Sequence, residues 1–193
     1  MTDDVYSPVP ELNLLHAFSS GLADYFSQGF EMEQFGSAAG IDTWSADPAF
    51  LDRFRVFGQA NGSGSLYAIW RVDDREDLAD LPIVAFGDEG GVHLVAATLR
   101  DLLQLLACDR CVYVFHDGIS FSGEEEDAAD GRGSGEAREL YLAWLKRHFG
   151  LGADEDPGGI VLAAEEAYQT RFVAWMDRYV DGFAEEHAEL LEG

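Results

Sequence analysis

The feature that most constrains the fold of this chain is a pair of apolar runs around Asn61-Gly62-Ser63-Gly64. Residues 55–60 and 65–72 flank this string of turn formers, which is the pattern of a β-hairpin. In the second run Leu66, Ala68, Trp70 and Val72 alternate with Tyr67, Ile69 and Arg71. A strand with one face in water alternates apolar with polar residues. This one is apolar on both faces, so it calls for cover on both sides. Two further short apolar runs, 82–86 and 92–96, are joined by the turn Gly87-Asp88-Glu89-Gly90-Gly91. Residues 112–115 read as another strand.

Helical patterns surround this sheet. Leu12, Leu15, Phe18, Leu22, Tyr25 and Phe26 recur at three- and four-residue steps and predict a first helix, with Gly21 as a weak point. Asp47-Pro48 supplies an N-cap and a first-turn proline for a short helix that buries Phe50, Leu51 and Phe54. Thr98-Leu99-Arg100-Asp101 is the Asp form of a capping box, opening a helix to about Ala107 with Leu99, Leu102, Leu103 and Leu106 on one side. Residues 122–135 are acidic, rich in Gly and Ser and almost free of apolar side chains, as in a loop or linker. Beyond them Leu140, Tyr141, Trp144, Leu145, His148 and Phe149 hold helical spacing up to Gly150. Asp156-Pro157 then starts a helix carrying Val161, Ala164, Tyr168, Phe172, Trp175 and Tyr179. The expected fold class is α+β: a mostly antiparallel sheet flanked by helices, with a helical C-terminal extension. The 193 residues suit one domain over 1–193, with a core at 47–107, an acidic loop at 122–135 and a helical tail at 136–190. A domain of this length buries about 70% of its unfolded surface and needs no disulfide or metal to fold.

Charge bears on function more than on fold. Thirty-seven acidic residues oppose twelve basic ones, a net charge of −25, and Lys146 is the lone lysine. Such a chain repels phosphate backbones and anionic lipid, which excludes direct nucleic-acid and membrane-surface binding. It attracts basic partners instead, at rates that fall as salt rises. The same composition also arises from a GC-rich genome or from salt adaptation, in which case the acidity serves solubility alone. No run is long and apolar enough to span a bilayer, and the acidic start Met1-Thr2-Asp3-Asp4 is unlike a signal peptide, so a cytoplasmic protein is expected.

Motifs that carry chemistry are sparse. Gly58-Gln59-Ala60-Asn61-Gly62-Ser63-Gly64 has no Lys-Ser/Thr ending, and Gly87-Asp88-Glu89-Gly90-Gly91 would set carboxylates against phosphates, so both read as tight turns. Cys108 and Cys111 have zinc-knuckle spacing beside His116 but no second pair to complete a tetrahedral site. They read as core or half-buried thiols. His16, His93, His116, His148 and His187 are scattered, and His116-Asp117 with Ser120 is adjacent in sequence rather than by any known triad pattern. Glu165-Glu166, Glu185-Glu186 and Asp73-Asp74 point to different sides of their elements. Trp70, Trp144 and Trp175 sit in amphipathic patterns and read as core. The expectation is a non-enzymatic protein with no catalytic residues, no metal and no cofactor. The alternative is an enzyme with a shape-built site near His93, His116 and neighbouring carboxylates.

Three ordered segments resemble the SUKH superfamily, the Smi/Knr-like proteins. The first is Phe57-Gly58-Gln59-Ala60-Asn61-Gly62-Ser63-Gly64-Ser65, followed by Ala68-Ile69-Trp70. The second is Leu81-Pro82-Ile83-Val84-Ala85-Phe86-Gly87-Asp88-Glu89-Gly90. The third is Val95-Ala96, Leu99 and Leu102-Leu103-Gln104-Leu105-Leu106-Ala107. The match covers about residues 47–107, and the later helical pattern is similar to bacterial members with a helical tail. The first forty residues carry no resemblance. The resemblance implies an antiparallel sheet with helices packed on it. It also implies an immunity protein that binds and neutralises a cognate toxin, often a nuclease, or a regulatory scaffold as in fungal relatives. On that reading an acidic surface occludes the basic groove of a toxin domain. The candidate contacts are Asp73, Asp74, Glu76, Asp77 and Asp80, then Asp88 and Glu89, then Glu124, Glu125, Glu126 and Asp127.

Overall fold

A computed structural model describes residues 5–28, 30–122, 135–154 and 156–187. The acidic tract holding Glu124, Glu125, Glu126 and Asp127 lies outside the described residues. The main sheet is an antiparallel meander in the order β1 (Glu31–Met32), β2 (Phe54–Gln59), β3 (Leu66–Trp70), β4 (Ile83–Phe86) and β5 (Val92–Ala96). A second sheet is the hairpin of β6 (Val112–Phe115) and β7 (Gly118–Phe121). The helices are α1 (Pro10–Ser19), α2 (Pro48–Leu51), α3 (Leu99–Leu106), α4 (Gly135–Phe149), α5 (Pro157–Met176) and α6 (Phe183–Glu186).

The two-sided apolar pattern produces two cores. Tyr67 and Ile69 of β3 and Ile83 and Ala85 of β4 face the side covered by α1, α3 and α4. Ala68 and Trp70, with Val84 and Phe86, face the side covered by α2, α5 and α6. The C-terminal helices expected as a tail are therefore layers of the fold. Tyr141 and Leu145 of α4 belong to the first core, and Phe172, Val173 and Met176 of α5 to the second. The most extensive helix-to-sheet packing is that of α5 on β5. At the opposite edge β1 is only two residues long, which leaves little exposed ladder for unwanted pairing.

The N-terminal segment gains a role here. Leu12 and Leu15 of α1 are fully buried in the first core, and the Tyr6 hydroxyl lies 3.0 Å from the Phe57 carbonyl oxygen of β2. The first helix stops at Ser19 rather than running to Phe26, because the chain turns through Ser20 and Gly21. Phe26 still reaches the core, from irregular backbone.

The expected caps are present. The Asp47 carboxylate accepts from the Ala49 N–H at 2.8 Å. The Thr98 hydroxyl accepts from the Asp101 N–H at 3.2 Å and donates to its carboxylate at 2.8 Å. Gly150 ends α4 at φ +71, a conformation that favours glycine. The hairpin β6–β7 was legible only in its first half. His116-Asp117 forms its turn, and Ser120 pairs across the hairpin with Tyr113.

Candidate functional site

The acidic contacts expected from the sequence fall at opposite ends of the sheet. Residues 73–80 follow β3 and precede β4, whereas Asp88 and Glu89 sit in the turn from β4 to β5. One strand length, about 15 Å for these five residues, separates the two groups. They do not form one patch.

At the β4–β5 end the polar groups close on one another. Asn61 Oδ1 accepts from the N–H groups of Ser63, Gly64 and Ser65 at 3.2, 3.1 and 3.1 Å, and the Ser63 hydroxyl oxygen lies 2.8 Å from it. Asn61 Nδ2 donates to Ser65 Oγ at 3.0 Å and to the Val112 carbonyl of β6 at 2.9 Å. The Asp88 carboxylate accepts from the hydroxyls of Ser65 at 2.7 Å and Ser63 at 2.9 Å. The Ser65 hydroxyl, then that of Ser63, holds the Asp88 carboxyl below its ordinary range. Asp88 thus fastens two turns together, although it and its neighbour Glu89 are both exposed.

At the β3–β4 end two of the five acids pair with arginines. Asp73 pairs with Arg75 at 2.7 Å, and that hydrogen-bonded guanidinium pulls its carboxyl down to about 2. Asp74 pairs with Arg53 at 3.2 Å. Asp77 caps the short 3₁₀ turn Leu78–Asp80 by accepting from the Ala79 N–H at 3.1 Å. Glu76 and Asp80 are exposed.

Arg53 also borders a recess of about 380 Å³ between the end of β3 and α5. Its wall is Arg53, Trp70, Arg71, Val72, Arg171, Ala174, Trp175 and Arg178. Register explains the first pair: Phe54 lies opposite Trp70, so the flanking Arg53 and Arg71 are neighbours, and the Arg71 N–H donates to the Arg53 carbonyl at 2.7 Å. Helical repeat explains the second, since Arg171 and Arg178 are seven residues apart, two turns along α5 and its end. Trp70 packs edge-on against Phe172 with ring centres 5.0 Å apart, and Trp175 lies 5.8 Å from it. Arg71 reaches Asp52 at 3.4 Å, and the nearby Arg55 hydrogen bond lowers the Asp52 carboxyl further than Arg71 does. Arg171 Nη2 donates to the Val72 carbonyl at 3.5 Å. Among the described residues neither Arg171 nor Arg178 has a carboxylate within ion-pair distance, and the indole Nε1 of the buried Trp70 has no hydrogen-bond partner.

The histidines behave differently. His93 is buried in β5, and its Nε2–H donates to the Phe115 carbonyl at 2.7 Å. Burial pushes the His93 pKa below its ordinary value, with the His187 ring centre 5.5 Å away. It joins β5 to β6, and Asp117 and His116 of the hairpin turn lie close enough to act on it electrostatically. Cys108 and Cys111 form no disulfide and are half-buried, and burial pushes the Cys108 thiol up. Among the described residues no three His, Cys, Asp or Glu side chains gather as a metal site, and no helix is long and apolar enough to cross a membrane.

Sequence reasoning did not find the recess. Its residues come from positions 53, 70–72 and 171–178, and nothing local marks their convergence. The available signal was indirect: Arg171 and Arg178 repeat on one helical face, beside the apolar Trp175, in a chain poor in cations. No family model, curated protein or solved structure matches the chain.

Proposed function

We propose that this chain is a protein-binding module of the SUKH type, acting in the cytosol as an immunity protein that neutralises a basic toxin domain by occluding it. The carrying observation is that the ordered segments behind the resemblance form one continuous unit. The Gly-containing run is β2 with its turn, Ala68-Ile69-Trp70 is β3, and Pro82 leads into β4. The Asp88-Glu89 turn then leads to β5, and the leucine-rich run is α3. An antiparallel meander with a helix folded back on it agrees with that family pattern. A net charge of −25 would speed encounter with a basic partner and would not favour direct contact with nucleic acid.

The geometry divides the candidate contacts. Asp74, Glu76, Asp77 and Asp80 are exposed at one end and Asp88 and Glu89 at the other, while Asp73, Asp74, Asp77 and Asp88 also serve internal partners. A partner docked end-on would engage one group only. The test is a neutralisation and binding assay against the protein encoded beside the gene, at low and at physiological salt. A salt-sensitive complex that abolishes the neighbour's toxicity is expected, and Glu76→Lys with Asp80→Lys, set against Glu89→Lys, identifies the end used. Absence of a complex at low salt, with toxicity unchanged, would sink the reading.

A further inference from the structure

We infer that the recess between the end of β3 and α5 binds the dianion of a phosphate monoester. This inference does not depend on the protein-binding reading. It begins with the chemistry of the wall. The polar side chains lining the recess are Arg53, Arg71, Arg171, Arg178, Trp70 and Trp175, and all of them are donors with no acceptor capacity. A ligand there has to supply acceptors and negative charge.

The charge distribution sharpens the point. The chain holds twelve basic residues against thirty-seven acidic ones, yet four arginines line this one recess. Asp52 and Asp74 pair with Arg71 and Arg53, which leaves Arg171 and Arg178 without a carboxylate partner among the described residues. Arg171 acts on Asp73 at longer range, yet neither guanidinium has a carboxylate within ion-pair distance among the described residues, which leaves donors and positive charge for an anion. Their planar forks suit the several oxygens of a phosphate, which can accept paired N–H bonds. The Trp70 ring closes one side of the recess, with its Nε1–H beneath the accessible surface.

Size and shape suggest an ester rather than the bare anion. The volume of about 380 Å³ lies within the small-ligand range and exceeds what one phosphate fills. Val72, Ala174 and the Trp175 ring give the organic part an apolar wall.

The test is calorimetric titration of the intact chain at low ionic strength with three probes: inorganic phosphate, adenosine monophosphate and a phosphoserine peptide. Saturable one-site binding is expected, with a monoester tighter than inorganic phosphate. A preference for the nucleotide identifies a small ligand, and a preference for the peptide identifies a phosphorylated chain; both support the site. Arg171→Gln and Arg178→Gln should each weaken binding by about tenfold or more, as for lost charge-assisted hydrogen bonds. Arg147→Gln on α4 should leave it unchanged. No saturable binding of any probe, or wild-type affinity in both Arg171→Gln and Arg178→Gln, would overturn the assignment.

Discussion

The two ends of the main sheet solve the same problem in opposite ways. Both gather polar side chains around strand termini. At the β4–β5 end Asn61, Ser63, Ser65 and Asp88 satisfy one another, and Asn61 also reaches the Val112 carbonyl of β6. At the β3–β4 end four arginines meet two carboxylates, and the Trp70 N–H is left without a partner among the described residues. A closed network has no capacity for a ligand, and its value is rigidity. An open one carries unmet donors that cost stability unless something binds. The difference separates polar residues that build the fold from those that can act on a ligand.

The closed end should be the fragile one. Gly91 has φ +84, and a Cβ there would drive into the Phe115 carbonyl where the β4–β5 turn presses on β6. Gly91→Ala combines backbone strain with a backbone clash, so a loss of more than about 3 kcal/mol is expected in urea unfolding. Asn61→Ala comes next. The amide is buried, and its removal strands the N–H groups of Gly64 and Ser65 and the Val112 carbonyl, a loss of about 3 kcal/mol read the same way.

A pH series probes the link between β5 and β6. Burial holds the folded-state pKa of His93 below the ordinary 6.5, so the unfolded chain takes up the proton first. Stability is then fully present above pH 6.5 and falls as pH drops from there toward the folded-state pKa. Urea midpoints at several pH values should show this decline, and His93→Gln should flatten it. The smallest effect belongs to the open end. Arg178→Gln removes an exposed charge with no ion-pair partner, so stability should stay within about 0.5 kcal/mol of wild type while anion binding falls. A large destabilisation there would erase the contrast between the ends.

Local pattern carried much of the fold. The turn at residues 61–64 set the β2–β3 register, the alternation from Leu66 to Trp70 announced cover on both faces, and Asp47, Thr98 and Gly150 marked helix ends where the structure has them. The errors came where tertiary packing decides. Leu22 and Phe26 keep helical spacing but reach the core from irregular backbone after Gly21. Strand β7 has a weak pattern of its own and exists by pairing with β6. The candidate site was least legible. Acidic residues such as Asp73 and Asp74 stood out as a run, but their significance lies in Arg75 and Arg53, and the recess joins residues more than one hundred positions apart.

The most direct test of the contrast is a nuclear magnetic resonance titration of the isotope-labelled chain with inorganic phosphate. The account predicts saturable shifts of the Trp70 and Trp175 indole N–H signals and the guanidinium signals of Arg171 and Arg178, with the Asn61 side-chain amide and the 87–91 turn unmoved. Unchanged indole signals, or equal movement at the Asn61 end, would contradict it.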